Sequence, residues 1–82
     1  MNFRVSVNVM PKAGISDPQG QAVEKALPAI GFKGITGVRI GKRITFLIDA
    51  SDANEALDVV RQACEKFLAN PIIEDFEVEV VP

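Results

Sequence analysis

The chain has 82 residues, 11 acidic and 9 basic side chains, a formal net charge of −2 and a hydrophobic fraction of 48%. A chain of this length forms one domain, 1–82, and buries only about 60–65% of its unfolded surface, so a second copy or a partner is expected to help stabilise it. The acidic balance argues against nucleic acid, which requires a basic surface, and no apolar run reaches the ~20 residues of a membrane span.

The sequence contains no histidine, and its one cysteine is Cys64. Without histidine the chain lacks the side chain that most often acts as a general base at neutral pH, and it cannot form a Cys–His catalytic pair. With no histidine and one cysteine, it also cannot form a zinc site that uses histidine or several cysteines as ligands. One cysteine also excludes an internal disulfide and fits a reducing cytoplasm. These absences predict a domain without catalytic, metal-binding or cofactor-binding residues of its own.

The first elements are a strand and a helix. Residues 3–9 alternate between apolar and polar side chains, which predicts a half-buried strand. A helix then begins at Asp17, whose carboxylate can accept from free backbone N–H groups, with Pro18 at its first position. Pro28 is expected to bend the last turn and Gly31 to end it. The predicted apolar stripe is Ala22, Val23, Ala26, Leu27 and Ile30.

A hairpin is predicted over residues 38–49, which alternate on both sides of Gly41. Facing side chains must point the same way, so a loop of residues 41–43, which pairs Ile40 with Ile44, is favoured over a shorter loop that mixes the two faces.

The second helix is expected to begin at Asp52, with Glu55 completing a capping-box-like pair. It should end before Asn70-Pro71, because the residue before proline avoids the helical region. A last strand is predicted over 76–80, where apolar residues alternate with glutamates. The predicted apolar face of this helix is Ala53, Ala56, Leu57, Val60, Ala63, Cys64, Phe67 and Leu68.

These elements follow the order strand–helix–strand–strand–helix–strand. Because the strands are apolar on one side only, both helices are expected on one face of an antiparallel sheet, in an α+β, ferredoxin-like βαββαβ domain. The other face is too polar for a second core, so it or a sheet edge could meet another protein. That face is predicted to carry Arg4, Ser6, Asn8, Arg39, Thr45, Leu47, Glu77 and Glu79.

Four features have a possible chemical role, and each has a plainer interpretation. The glycine-rich stretch 37–43 lacks the spacing and the following helix of a phosphate loop, which favours a hairpin turn. The helix start could hold an anion, but the charge of Asp17 competes for the same donors, which favours capping. Cys64 lies at a core position and is interpreted as packing. The acidic run 74–77 is interpreted as a solvated strand, because alternate strand residues diverge.

Two stretches, DPQGQAVEKALPAIGFKGITGVRIGKRITFLID and EKFLANPIIEDF, resemble the PurS family, the small subunit of phosphoribosylformylglycinamidine synthase. The resemblance covers about Val5 to Val80. Pro28 departs from the family, which usually has an ordinary helix former there. This departure concerns only the straightness of the helix predicted to begin at Asp17. The most specific pieces are Asp17-Pro18-Gln19-Gly20, Gly31-Phe32, Val38-Arg39 with Gly41-Lys42, and Leu68 to Glu74.

The resemblance implies a role in purine biosynthesis. In the reaction of the family's synthase, formylglycinamide ribonucleotide, ATP and glutamine become formylglycinamidine ribonucleotide, ADP, phosphate and glutamate. It implies a cytoplasmic, non-catalytic subunit that binds no cofactor itself, in a complex that uses ATP and Mg. The implied partners are a second copy of the chain, as a homodimer or higher homo-oligomer, a PurL-type synthetase and a PurQ-type glutaminase. The subunit would bridge the last two and assist ammonia transfer.

The residues of the matching motifs are the candidates for partner contacts. Gly20 lowers helix stability by about 1 kcal/mol relative to alanine, and we expect it to allow a neighbouring chain to approach closely. Two alternatives remain open: an ACT-like domain that binds a small ligand, and an RNA-binding ferredoxin-like domain, which the charge and missing sheet aromatics disfavour. The interface candidates are Asp17, Pro18, Gln19, Gly20, Gly41, Lys42, Asn70 and Pro71.

Overall fold

The computed structural model describes residues 1–82 and contains one antiparallel sheet of three strands in the order β2-β1-β3. The predicted α+β class, an antiparallel sheet with two helices, is confirmed. No helix is both long and apolar enough to cross a membrane. The elements are β1 (Asn2–Pro11), α1 (Pro18–Ala26), β2 (Lys42–Asp49), α2 (Ala53–Ala63) and β3 (Glu74–Val81).

Strand β1 lies at the centre of the sheet and supplies most of the core. The predicted alternation is confirmed, because the apolar side chains Phe3, Val5, Val7 and Val9 are each at most 3% exposed. The three valines of this set form one buried cluster with Val60 and Cys64. The core therefore lies between β1 and the side of α2 that faces it.

The hairpin predicted between the two helices does not form, because residues 35–41 belong to no strand. Strand β2 pairs with β1 instead. The backbone N–H of Val38 donates to the Glu24 carboxylate, and the N–H of Ile40 donates to the Asp17 carboxylate. Side chains of α1 and its cap thus take the place of a partner strand, so the fold has three strands rather than the predicted four.

Helix α1 differs from the expectation that both helices cover one sheet face. Its contacts are mainly with the 3₁₀ turn Pro28–Ile30 that follows it, and only Gly20 within it is buried. Most side chains of the predicted apolar stripe are exposed: the exposed fraction is 40% for Val23 and 67% for Ile30. We call residues 12–41, which connect β1 to β2, the arm. The arm contributes to the elongated shape of the chain, which measures 51 × 26 × 14 Å.

Helix α2 begins as predicted but ends differently. The Asp52 carboxylate accepts from the Glu55 N–H at 2.8 Å, and the Glu55 carboxylate accepts from the Ser51 hydroxyl at 2.6 Å. A π-helical turn, Cys64–Leu68, follows the helix. The extra residue of this turn rotates Phe67 out of the core face, so the prediction that Phe67 is buried was wrong: it is 86% exposed.

Cys64 is fully buried, which confirms its interpretation as a packing residue. Burial raises the pKa of its thiol, and the charge of Glu65 raises it further. The reactive thiolate is therefore both scarce and inaccessible in the native chain. We expect a disulfide reagent at pH 8 to label Cys64 about 100-fold more slowly, or slower still, in the native chain than in urea, since labelling must await local opening. Equal rates would contradict the buried position.

Candidate partner-binding surface

Asp17 joins the start of α1 to the far end of the arm. Its Oδ1 accepts from the Gly20 N–H at 3.0 Å, and its Oδ2 accepts from the Ile40 N–H at 2.8 Å. Arg39 Nε lies 3.6 Å from Oδ2. The hydrogen bond from Ile40, and next that from Gly20, lower the pKa of Asp17 below its ordinary value of 3.8. The capping interpretation is confirmed, because the carboxylate itself occupies a donor that an anion would need.

The pKa of Asp17 predicts how the stability of the arm depends on pH. An asparagine side chain at this position would keep a cap but lose the charge, so we expect the Asp17→Asn variant to be less stable than the natural chain at pH 7. A lowered pKa gives stability that is complete well above pH 3.8 and is lost as the pH falls through the native value. Urea midpoints should therefore converge for the two chains below pH 3.8. A difference that stays constant down to acid pH would contradict this assignment.

Gly20 is buried, and the structure explains why no side chain is present there. A methyl carbon on Gly20 would lie 2.5 Å from the Val38 carbonyl oxygen and 2.5 Å from Asp17 Oδ2. The close backbone belongs to the same chain, so the lack of a side chain at Gly20 is explained without a neighbouring chain, and contact of Gly20 with a partner stays a prediction. Gly20 therefore shapes the arm from within.

The end of the sheet where β1 ends and β2 begins carries the other interface candidates. A methyl carbon on Gly41 would meet the Val9 carbonyl oxygen and the Met10 sulfur, so the residue just before β2 lies close against the end of β1. Lys42 beside it is exposed, as are Pro18 and Gln19 at the start of α1.

The Asn70-Pro71 turn reaches this end of the sheet from the other side. Asn70 Oδ1 accepts from the Ile72 N–H at 3.2 Å, and the Asn70 N–H donates to the Glu74 carboxylate at 2.8 Å. The Ile73 carbonyl then accepts from the Lys12 N–H at 2.9 Å, which ties the turn to the base of the arm. The structure thus gathers the eight candidates at one end of the sheet. Their contact with partners stays a prediction.

Several large apolar side chains are exposed in two segments of the chain. On the arm, Ile30 is 67%, Phe32 is 56% and Ile35 is 44% exposed. After α2, Phe67 and Ile72 are 86% and 82% exposed. Periodicity assigned Phe67 to the core, and only a break in the helical repeat could have indicated otherwise.

The face of the sheet away from α2 is polar, as predicted, but Arg39, which was predicted on this face, belongs to no strand and lies on the arm. Arg43 on this face donates to the Ser6 hydroxyl at 3.1 Å. A shallow depression on this face is lined in part by Arg4, Thr45 and Glu79. No group of three or more acidic or cysteine side chains converges as a metal site would require.

The comparisons with known proteins match the whole of this architecture. The family model PurS, described as phosphoribosylformylglycinamidine (FGAM) synthase, matches residues 4–82. The PurS subunit of phosphoribosylformylglycinamidine synthase from Bacillus subtilis is 44% identical over 79 residues, which cover 95% of this chain and 92% of that protein. The solved structure of B. subtilis PurS has a TM-score of 0.85 at 40% identity and covers 98% of this chain and 99% of its own.

A second solved structure, that of PurLQS from Thermotoga maritima, includes a chain with a TM-score of 0.89 at 28% identity, covering 99% of both chains. The sequence and fold matches agree over nearly the full length, and they include the arm. This chain therefore belongs to the PurS family.

Proposed function

We propose that this chain is the small, non-catalytic subunit of a phosphoribosylformylglycinamidine synthase, and that it bridges a PurL-type synthetase and a PurQ-type glutaminase. The observation that carries the proposal is the likeness, over 99% of both chains, to a chain solved within PurLQS of Thermotoga maritima. The B. subtilis relative carries the name of the same synthase subunit. The absence of histidine and of a convergent acidic cluster supports a subunit that leaves the chemistry to its partners.

The rest of the proposal concerns how this subunit works. Residues 1–82 act as one domain in the cytoplasm, as a homodimer or a higher homo-oligomer. The chain binds no cofactor, and ATP with Mg is bound by the synthetase. Bridging brings the glutaminase close to the synthetase, so that ammonia released from glutamine reaches the ribonucleotide site at a high effective concentration.

The test is turnover of ATP with formylglycinamide ribonucleotide by the cognate PurL-type and PurQ-type proteins, measured with and without this chain. We expect glutamine-driven turnover to fall at least tenfold when the chain is omitted. Turnover fed with ammonium chloride should largely survive, because it needs no ammonia transfer between subunits. If neither rate responds to the chain, the proposal is overturned.

A further inference from the structure

The depression on the sheet face away from α2 has the size and the mixed lining of a small-molecule site. Its volume is about 460 Å³, and volumes of this order are usual for pockets that hold small ligands. The lining combines charged, hydroxyl and apolar side chains, so it can bind the polar and the apolar parts of one molecule. The side chains that matter here are those of Arg4, Ser6, Arg43, Thr45, Leu47 and Glu79.

The register of the three strands places these side chains around Ser6. Arg4 and Ser6 are alternate residues of the central strand β1, so their side chains share one face. Ser6 lies opposite Thr45 on β2 and opposite Glu79 on β3. Arg43 comes from the next position of this face on β2, and its guanidinium reaches the Ser6 hydroxyl at 3.1 Å. Two cationic groups and one anionic group therefore surround one serine in the middle of the sheet.

These charges are not neutralised within the chain. The cationic groups of its three ion pairs are the amino terminus, Lys12 and Arg39, so Arg4, Arg43 and Glu79 take part in none of them. A guanidinium can bind a carboxylate through two parallel N–H···O bonds, and a free carboxylate accepts hydrogen bonds from an ammonium group. The depression thus offers strong donors and a strong acceptor that have no partner in the fold.

The arrangement of charges decides which class of ligand fits. A phosphate or another plain anion would be attracted by the two arginines but repelled by Glu79, and a plain cation would meet the reverse. A ligand that carries a carboxylate beside an ammonium group satisfies both signs. Arg4 and Glu79 flank Ser6 from neighbouring strands, which lie about 4.8 Å apart. That separation suits the two charged groups of an α-amino acid, which are attached to one carbon.

We propose that this depression binds a free α-amino acid, whose carboxylate accepts from Arg4 and Arg43 and whose ammonium group donates to Glu79. Leu47, which is 64% exposed, and the Thr45 hydroxyl lie beside these groups and receive the side chain of the ligand. Glutamine is the first candidate, because its aliphatic stem can lie on Leu47 and its amide can bond to Thr45. The site goes beyond the proposed function, which assigns this chain no ligand, and its test needs neither larger subunit.

NMR titration of the ¹⁵N-labelled full chain with glutamine, glutamate and leucine tests the site directly. We expect a dissociation constant of about 1 mM for glutamine, which is ordinary for about ten non-hydrogen atoms on an open surface. The amide shifts should be largest at Ser6, Thr45 and Glu79 and absent from α2, which lies on the other face. The proposal is overturned if none of the three amino acids gives saturable shifts below about 20 mM, or if the shifts lie elsewhere only.

Two analogues of glutamine distinguish an amino-acid site from a site for plain anions. Glutaramate has the carboxylate but no ammonium group, and 4-aminobutanamide has the ammonium group but no carboxylate. Each should bind at least tenfold more weakly than glutamine, because each leaves one sign of charge in the depression without a partner. Glutaramate or inorganic phosphate that binds as tightly as glutamine would contradict the proposal.

Variants assign the charges, and their side chains are exposed, so the fold should persist, which circular dichroism verifies. Glu79→Gln should weaken glutamine binding at least fivefold yet strengthen glutaramate binding, because the repulsive charge is removed. Glu77→Gln is the matched control, since Glu77 lies on the same strand and face but outside the depression, and it should change either constant less than twofold. Arg4→Gln should weaken both ligands at least tenfold, whereas Arg61→Gln on α2 should weaken neither. Unchanged glutamine binding by Glu79→Gln or by Arg4→Gln would contradict the proposal.

Discussion

Replacing Gly20 with valine is expected to lower the free energy of unfolding by about 3 kcal/mol, because the new side chain overpacks a closed site and separates hydrogen-bonded groups. Its Cβ would lie 2.5 Å from the Val38 carbonyl oxygen, a backbone atom that cannot rotate away. Either α1 or residues 38–40 must move, and the Asp17 bonds to both segments are then lost. Urea unfolding measures the loss.

The control is Gln21→Val, which places the same side chain at the next, exposed position of α1. Helix propensity alone makes that change cost less than about 1 kcal/mol. Amide hydrogen exchange locates the damage, since Ile40 and Gly20 should lose protection while the N–H groups of β1 keep theirs. Equal costs for the two variants would show that Gly20 is not closely packed.

Replacing Val7 with alanine should lower the free energy of unfolding by about 2–3 kcal/mol, from the loss of two buried methyl groups and the cavity they leave. Val7 is 0% exposed at the centre of the central strand, where neighbours from both other strands surround it. A domain of this length has a total stability of roughly 4–12 kcal/mol, so the loss is a large fraction of the total.

Val81→Ala is the matched control, because it removes the same atoms from a side chain that is 38% exposed at the end of β3. We expect its cost to be below about 1 kcal/mol, as is usual for surface positions. Thermal unfolding should rank the three chains in the order natural, Val81→Ala, Val7→Ala. The reverse order would place the core elsewhere.

The sequence was sufficient for the elements whose signals are local. The alternation of β1 and the caps at Asp17 and Asp52 depend on a few neighbouring residues, and the structure confirms all three. The alternation at Val38 and Ile40 was also real, but an alternating segment does not specify its partner. Two carboxylates of the α1 region took the donors that a strand would have used.

The remaining differences come from tertiary structure. Phe67 has the spacing of a core residue, and the π-helical turn that exposes it has no signature in apolar periodicity. The exposed stripe of α1 has the amphipathic pattern of a packed helix, and that pattern is the same whether the surface it covers belongs to its own chain or to another. For the candidate surface, the sequence motifs were sufficient to identify the family. The contacts that Asp17, Gly41 and Asn70 make within the chain could be seen only in the structure.

The central claim is that the chain bridges two larger subunits, and sedimentation velocity of the three-protein mixture tests it most directly. The PurL-type and PurQ-type proteins would be mixed with ATP, Mg and glutamine, with and without this chain. We predict a complex that contains all three proteins when the chain is present, and separate synthetase and glutaminase when it is omitted. Association of the two larger proteins to the same extent in both mixtures, or a complex that excludes this chain, would contradict the account.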